Sequence, residues 1–182
     1  MGKRAGSAKR RSVERIWEKS ETLKWIGALR LWHMSLNSSA MPDQSFHYSH
    51  RVTYSDCTAG NHVYYGRYLD ILEAARGDFF RQLGIPFGQL QDKDTIFPVV
   101  ECRLRYLAPA RYDEILRIEV WITTAQRVRL NFGYRVSRET GAVILEGESF
   151  HVCTGLDEKP KRMPEDLLMV LKPHVRAATI AP

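Results

Sequence analysis

The sequence predicts an α+β protein in which an antiparallel sheet of about five strands wraps around one long central helix. An alternating segment begins at Phe46, and a broad apolar stripe with helical spacing runs from Tyr64 to Leu83. Four further alternating segments follow between Val100 and Thr154. This order indicates an α+β fold, because a parallel α/β sheet needs a helix between successive strands.

The first predicted strand covers residues 46–54, where apolar or aromatic residues occupy every second position. A period of two indicates a half-buried strand. The following residues, Ser55–His62, are rich in turn-forming types. Three polar residues of this turn are candidates for the chemistry of a site, namely Asp56, Thr58 and His62.

The predicted central helix begins near Tyr64 and ends at Leu83, before Gly84 and Pro86, which are typical of a helix end. Its main apolar stripe consists of Tyr65, Tyr68, Leu72, Ala75, Phe79 and Leu83. Further apolar residues widen this stripe. We therefore expect a sheet to wrap the helix rather than to support it on one side.

The four later strands each have one apolar and one charged face, which is typical of an antiparallel sheet covered on one side. They are predicted at residues 100–106, 116–122, 128–136 and 142–154. Trp121 shares the outward positions of its strand with Arg117 and Glu119. Residues 138–141 predict a hairpin turn, and Pro164 begins a short terminal helix.

The net positive charge of the chain comes from its first 40 residues. They carry nine Lys/Arg and three Asp/Glu and so account for the whole net charge of +6. We therefore expect no nucleic-acid partner for the folded domain. The predicted organisation is a basic, poorly ordered or weakly helical extension (1–40), a domain (41–174) and a tail (175–182). Two interpretations of the extension stay open: an amphipathic helix that contacts a membrane or a partner, and sequence upstream of a true start at Met41.

The cysteines indicate the compartment. Cys57, Cys102 and Cys153 have neither the spacing of a zinc site nor the even number of a disulfide framework. This pattern favours a cytoplasmic protein. The sequence contains no apolar run long enough to span a bilayer, and its basic start lacks the apolar stretch of a secretory signal.

Five local segments occur in a distinctive order: YSDCTAGNHVYYGRY (54–68), LEAAR (72–76), YLAPARYDE (106–114), FHVCT (150–154) and KPKRMP (159–164). They resemble the signature loop, central helix, strand connection, last strand and tail of the 4-hydroxybenzoyl-CoA thioesterase-like family. That family has the hotdog fold and includes the Tol-Pal-linked bacterial acyl-CoA thioesterases. The resemblance covers roughly residues 46–170.

The resemblance implies hydrolysis of an acyl-CoA or acyl-carrier thioester to a free acid and a thiol. It implies that the backbone amides of about Tyr64 and Tyr65, at the start of the helix, stabilise the oxyanion. The family loop usually carries two acids, and the second one is catalytic, but Thr58 occupies that position here. The Tol-Pal-linked branch also has a histidine at the position of Tyr65.

Three alternatives for the missing acid stay open. In the first, Asp56 and His62 form an acid/base pair while Thr58 holds water or substrate. In the second, Glu73 supplies a carboxylate from the helix, and in the third the site binds an acyl thioester without cleaving it. The structural interpretations are a turn cap for Asp56, a histidine satisfied within the turn for His62, and an ion pair with Arg76 or a loop cap for Glu73.

Tyr68 is a possible pocket residue, although an aromatic residue on an apolar stripe is also typical of a core. The resemblance implies a homodimer or homotetramer with sites at the subunit interface. The open edges of a single sheet agree with such pairing. The resemblance implies neither a metal nor a redox cofactor, since CoA is part of the substrate.

Overall fold

The computed structural model of the chain describes residues 46–176. Its five strands form one sheet in the order β1-β3-β4-β5-β2, and every neighbouring pair is antiparallel. The strands are β1 (Phe46–Arg51), β2 (Val99–Tyr106), β3 (Ile115–Gln126), β4 (Arg129–Arg138) and β5 (Val143–Val152). The predicted α+β arrangement, one strand, one long helix and four strands, is confirmed.

The long helix α1 spans Arg67–Gln82 and packs against the sheet, where it contacts β1 and β3. Its buried face carries Tyr68, Ile71, Leu72, Ala75, Gly77, Phe79 and Phe80. The Phe79 ring contacts Phe46 of β1 and Phe132 of β4, with ring centroids 5.4 and 6.1 Å apart. Because each fully buried side chain of this size contributes about 1.5–3 kcal/mol, this face accounts for much of the core.

The helix begins three residues later than the sequence predicted, at Arg67 instead of Tyr64. Residues 64–66 form a turn instead, in which the Arg67 N–H donates to the Tyr64 carbonyl. The apolar stripe does not reveal this boundary, since the exposed aromatic side chains of the turn continue the helical spacing by chance. The difference places Tyr65 in the turn before the helix instead of in the first turn of the helix.

Strand β1 ends at Arg51, before the end predicted at Tyr54. Tyr54 is 82% exposed because Tyr54–Asp56 form one turn of 3-10 helix. The strand's inward positions are half-buried and its outward positions exposed, as the alternation predicted. The chain therefore leaves the edge of the sheet after Arg51, earlier than predicted, and the 3-10 turn brings Asp56 back towards β1.

Trp121 lies on the outward face of β3, as predicted, but is buried with 3% exposure rather than solvated. It packs over Gly133 of the neighbouring strand β4, with which it is in register. A Cβ atom at Gly133 would lie 2.3 Å from the indole. Gly133 thus leaves space for the Trp121 ring. This contact joins two strands, so the alternation within one strand cannot predict it.

Strand β2 is the open edge of the sheet opposite β1. Seven of its eight residues are exposed, including inward-phase positions such as Cys102 and Tyr106. Val99 and Val100 are 49% and 63% exposed. An edge strand with apolar side chains and unpaired backbone groups is typical of a surface that pairs with another chain.

Two short helices complete the described residues. The helix α2 (Phe87–Asp92) was not predicted, while α3 (Glu165–Leu171) confirms the predicted terminal helix. Val175, at the predicted start of the tail, forms a parallel bridge with Ile122 of β3. The predictions about residues 1–40 and the boundary at Met41 lie outside the described residues. Within residues 46–176 no helix has the length and apolar character needed to cross a membrane.

Candidate active site

Asp56 is held by a network of hydrogen bonds at the end of β1. Its Oδ2 accepts from the Thr53 N–H at 2.7 Å and from the Thr53 hydroxyl at 2.8 Å. His50 Nε2 lies 3.0 Å from the same oxygen. Asp56 is 9% exposed, so these three contacts form its main polar environment. This arrangement is the turn cap that was one of the two interpretations of Asp56.

The network also sets the acidity of the carboxyl group. Burial by itself raises the pKa of Asp56, but hydrogen bonds from Thr53 and His50 outweigh it, and the pKa lies below its ordinary value. A carboxylate stabilised in this way is a weak base. Asp56 is therefore suited to hold the loop rather than to accept a proton from water.

His62 forms its hydrogen bonds within the loop. Its Nδ1 lies 3.2 Å from the Gly60 carbonyl oxygen, which can only accept, so Nδ1 is the donor of this hydrogen bond and Nε2 of a neutral ring is an acceptor. The Thr58 hydroxyl lies 3.4 Å from Nε2 and 3.2 Å from the His62 carbonyl oxygen. The imidazole is exposed and keeps its basic nitrogen beside a hydroxyl group.

The predicted acid/base pair of Asp56 and His62 does not form. Asp56 interacts with His50 and Thr53, whereas His62 interacts with Thr58 and Gly60. The physical reason is that Asp56 closes its own turn, which directs its carboxylate towards β1 and away from the loop tip. Thr58, at the position of the family's second acid, is the residue that meets His62.

The backbone amides before α1 differ in their hydrogen bonding. The Tyr64 N–H donates to the Asp56 carbonyl oxygen at 2.8 Å, so this predicted oxyanion donor is already occupied. Within the described part of the chain, the Tyr65 N–H has no acceptor. The Tyr65 carbonyl accepts from the Tyr106 hydroxyl at 3.0 Å, which ties this peptide to strand β2.

A cavity of about 330 Å³ lies beside these groups. Its lining includes His62, Tyr65 and Tyr68 together with Tyr106, Leu107 and Pro109. Tyr68 is 3% exposed and contacts Tyr106 with ring centroids 5.6 Å apart, so it belongs to the core and to the wall of the cavity. The tertiary structure thus brings three of the predicted residues to one apolar cavity.

Glu73 lies outside this group. It is exposed on α1, and the residues that line the cavity do not include it. The predicted ion pair between Glu73 and Arg76 does not form either, because the Arg76 guanidinium donates to the Tyr134 hydroxyl instead. Among residues 46–176, no contact supports Glu73 as the alternative acid.

Sequence reasoning missed His50 and Tyr106. Both occupy inward positions of alternating strands, where a polar group has to find a partner. That signal predicts that each side chain forms a hydrogen bond, but it does not identify the partner. Their partners, Asp56 and the Tyr65 carbonyl, lie on another element in both cases.

The model of one protein family matches residues 52–171, which include the loop, the helix and the whole later sheet. The chain belongs to the thioesterase-like superfamily. Among curated proteins, this thioesterase-like chain is similar to the acyl-CoA thioester hydrolase YbgC of Escherichia coli O6:H1. The two are 30% identical over 70% of this chain and 96% of the relative.

Solved structures of the thioesterase-like superfamily show the same fold. A hypothetical protein from Thermus thermophilus is 33% identical, with a TM-score of 0.67 over 70% of this chain and 98% of its own. A gentisyl-coenzyme A thioesterase is 25% identical, with a TM-score of 0.62 over 66% and 98%. These likenesses confirm the predicted hotdog fold and the predicted family.

Proposed function

We propose that this chain hydrolyses acyl-CoA thioesters to a free acid and CoA. The observation that carries the proposal is that His62, whose Nε2 lies beside the Thr58 hydroxyl, and Tyr65, whose N–H has no acceptor among the described residues, line the same cavity. Thioester hydrolysis needs a base for water and a donor for the carbonyl oxygen, and these two groups can supply both. Its relatives named as acyl-CoA thioester hydrolases support the same reaction.

In the proposed reaction, the thioester carbonyl oxygen accepts a hydrogen bond from the Tyr65 N–H at the N-terminal side of α1. His62 Nε2 takes a proton from a water molecule that the Thr58 hydroxyl helps to hold. The hydroxide attacks the carbonyl carbon, and the oxyanion forms against the Tyr65 amide. Collapse of this intermediate breaks the carbon–sulfur bond, and the His62 imidazolium returns its proton to the CoA thiolate.

The role of Asp56 in this proposal is to position the loop. Its side chain binds Thr53 and His50, while its carbonyl accepts the Tyr64 N–H. These contacts hold the loop from both sides and fix the backbone immediately before Tyr65, a residue that lines the cavity. The proposal thus replaces the family's loop carboxylate by an imidazole, and it uses no separate cofactor.

The test is thiol release from a panel of acyl-CoA thioesters by the full chain. We expect His62→Ala to lower kcat by about 10²–10⁴-fold, the usual contribution of a general base. His47→Ala is the matched control, because His47 is exposed on the outward face of β1, opposite the face that carries His50. Equal rates in the wild-type protein and His62→Ala would overturn the role of His62. Binding of the thioesters without thiol release would instead indicate an acyl-thioester binding protein.

The proposal includes a homodimer formed across β2, with a tetramer as the further possibility. The exposed apolar residues Val99, Val100 and Tyr106 lie on the unpaired edge strand, two of them next to a strand bulge. Pairing two such edges would satisfy their backbone groups and cover these side chains. Light scattering on the full chain tests this, since a monomeric mass at micromolar concentration contradicts it. A cytoplasmic location also remains part of the proposal.

A further inference from the structure

Residues 106–110 form a brace that holds the signature loop at two points. The Tyr106 hydroxyl donates to the Tyr65 carbonyl at 3.0 Å. The Ala110 carbonyl accepts from the Val63 N–H at 2.8 Å, and Ala110 is fully buried. The two contacts lie on either side of Tyr64, so the brace fixes the backbone that carries the proposed oxyanion donor, the Tyr65 N–H.

The brace is joined to the sheet at its start. The N–H groups of Leu107 and Ala108 donate to the Ile144 carbonyl at 2.9 and 3.3 Å. Pro109 follows and has no N–H with which to continue this pattern. Its carbonyl oxygen is therefore the backbone group through which a neighbouring element can hold the middle of the brace.

Arg138, the last residue of β4, holds that carbonyl. Its guanidinium donates through Nη2 to the Pro109 carbonyl and through Nε to the Glu114 carboxylate, the latter at 3.0 Å. The backbone of Arg138 is fixed by the hairpin turn, since its N–H donates to the Ala142 carbonyl and its own carbonyl accepts from Gly141, each at 2.9 Å. The hairpin and the ion pair together place the guanidinium where it supports the brace.

The burial of this contact distinguishes it from an ordinary surface ion pair. The side chains of Arg138 and Glu114 are 27% and 28% exposed, so solvent screens them only in part. Arg135 on the same strand offers a comparison. It forms ion pairs with Glu119 and Glu146 on the outward face of the sheet, whereas Arg138 contacts the brace.

We propose that Arg138 is a positioning residue for thioester hydrolysis, which holds Pro109 and thereby keeps the brace against the signature loop and the Tyr65 N–H in place. The inference rests on the proposed function, in which this amide stabilises the oxyanion. A fixed donor stabilises the transition state more than the bound substrate, because the charge on the oxygen develops only during attack. The residues that line the cavity do not include Arg138, so its effect passes through the brace.

The first experiment measures kcat and KM for thiol release by Arg138→Gln, with Arg135→Gln as the matched control. We expect Arg138→Gln to lower kcat by about tenfold with KM nearly unchanged, the size of a lost charge-assisted hydrogen bond. Arg138→Lys should keep part of the rate, because an ammonium group still donates to one of the two partners. It also serves the same comparison if Arg138→Gln does not fold. A change in KM alone, or equal losses at Arg138 and Arg135, overturns the inference.

A double variant tests whether Arg138 and Tyr106 act on the same backbone. If both hold the brace against the loop, the loss of kcat in Arg138→Gln with Tyr106→Phe should fall clearly short of the product of the two single losses. A combined loss equal to that product indicates two independent effects, which overturns the inference.

Hydrogen exchange tests the brace without relying on catalysis. Relative to the amides of the central strand β3, which report general stability, the Val63 amide should exchange about tenfold faster in Arg138→Gln than in Arg135→Gln. An unchanged ratio overturns the inference and leaves the proposed function intact. If the wild-type protein cleaves no thioester, the proposed function fails, and the exchange ratio then decides whether Arg138 positions this backbone.

Discussion

The Asp56 carboxylate lies 3.0 Å from Nε2 of His50, and it is this strand histidine, not His62 of the loop, that pairs with it. The side chains of His50 and Asp56 are 20% and 12% exposed. The pair ties the start of the signature loop to β1. It thereby separates the two residues, because Asp56 holds the loop at β1 while the His62 ring interacts with Thr58 and Gly60.

Asp56→Asn is expected to lower the free energy of unfolding by about 1–3 kcal/mol near pH 7, because charge-assisted hydrogen bonds from Thr53 and His50 are weakened. The folded pKa of Asp56 is lowered, so its contribution is complete above the unfolded pKa and is lost as the pH falls through the folded value. Urea unfolding of both proteins should show their difference shrinking below about pH 4. A difference that stays constant down to low pH contradicts this role.

Tyr106→Phe is expected to lower kcat more than it raises KM. The Tyr106 hydroxyl donates to the Tyr65 carbonyl, and its removal frees the residue whose amide we propose stabilises the oxyanion. A net hydrogen bond of about 1 kcal/mol corresponds to a loss of roughly fivefold in kcat. Tyr112→Phe is the matched control, since Tyr112 is an exposed tyrosine that contacts Tyr54. An unchanged kcat with an increased KM would show that Tyr106 only binds substrate.

His151 is expected to make stability depend on pH in the mildly acidic range. Burial lowers its folded pKa from 6.5 to about 4, so between these values the unfolded state binds a proton that the folded state does not. Stability should therefore fall by about 3 kcal/mol as the pH decreases through this window. His151→Gln keeps an acceptor for Ser149 but does not titrate, so its urea-unfolding profile should be flatter over this range. Parallel profiles for the two proteins would rule out His151 as the source.

Gly133→Ala is expected to destabilise the fold by about 1–3 kcal/mol, because the new methyl group overpacks the outer face of the sheet. Its Cβ would lie 2.3–2.5 Å from three atoms of the Trp121 indole, which is itself 3% exposed. Gly88→Ala is the control, since a Cβ there meets nothing within 4 Å and the residue lies in helix α2. Chemical denaturation should separate the two variants, and equal midpoints would contradict the packing argument.

Local periodicity was sufficient to predict most of the fold. The alternation in β1, β3, β4 and β5 and the apolar stripe of α1 each depend on neighbours in the sequence, because one buried face imposes a period of two or 3.6 on the chain. The loop motif before α1 was sufficient to identify the family. The start of α1 was not determined in this way, since Tyr64 and Tyr65 extend the stripe although they form a turn.

The sequence by itself determined the five strands, the long helix and the terminal helix, their order, the family, and a set of polar residues around one loop, but not the short helix α2. Only the tertiary structure decided which of those residues meet. Asp56 pairs with His50, and the His62 ring lies beside the Thr58 hydroxyl. Arg76 of the helix donates a hydrogen bond to Tyr134 of the distant strand β4. The physical reason is that a hydrogen bond depends on the approach of two groups within about 3 Å. Arg76 and Tyr134 are 58 residues apart and reach that distance only through the packing of the helix on the sheet, whereas the two nearer pairs depend on the path that the backbone takes after β1.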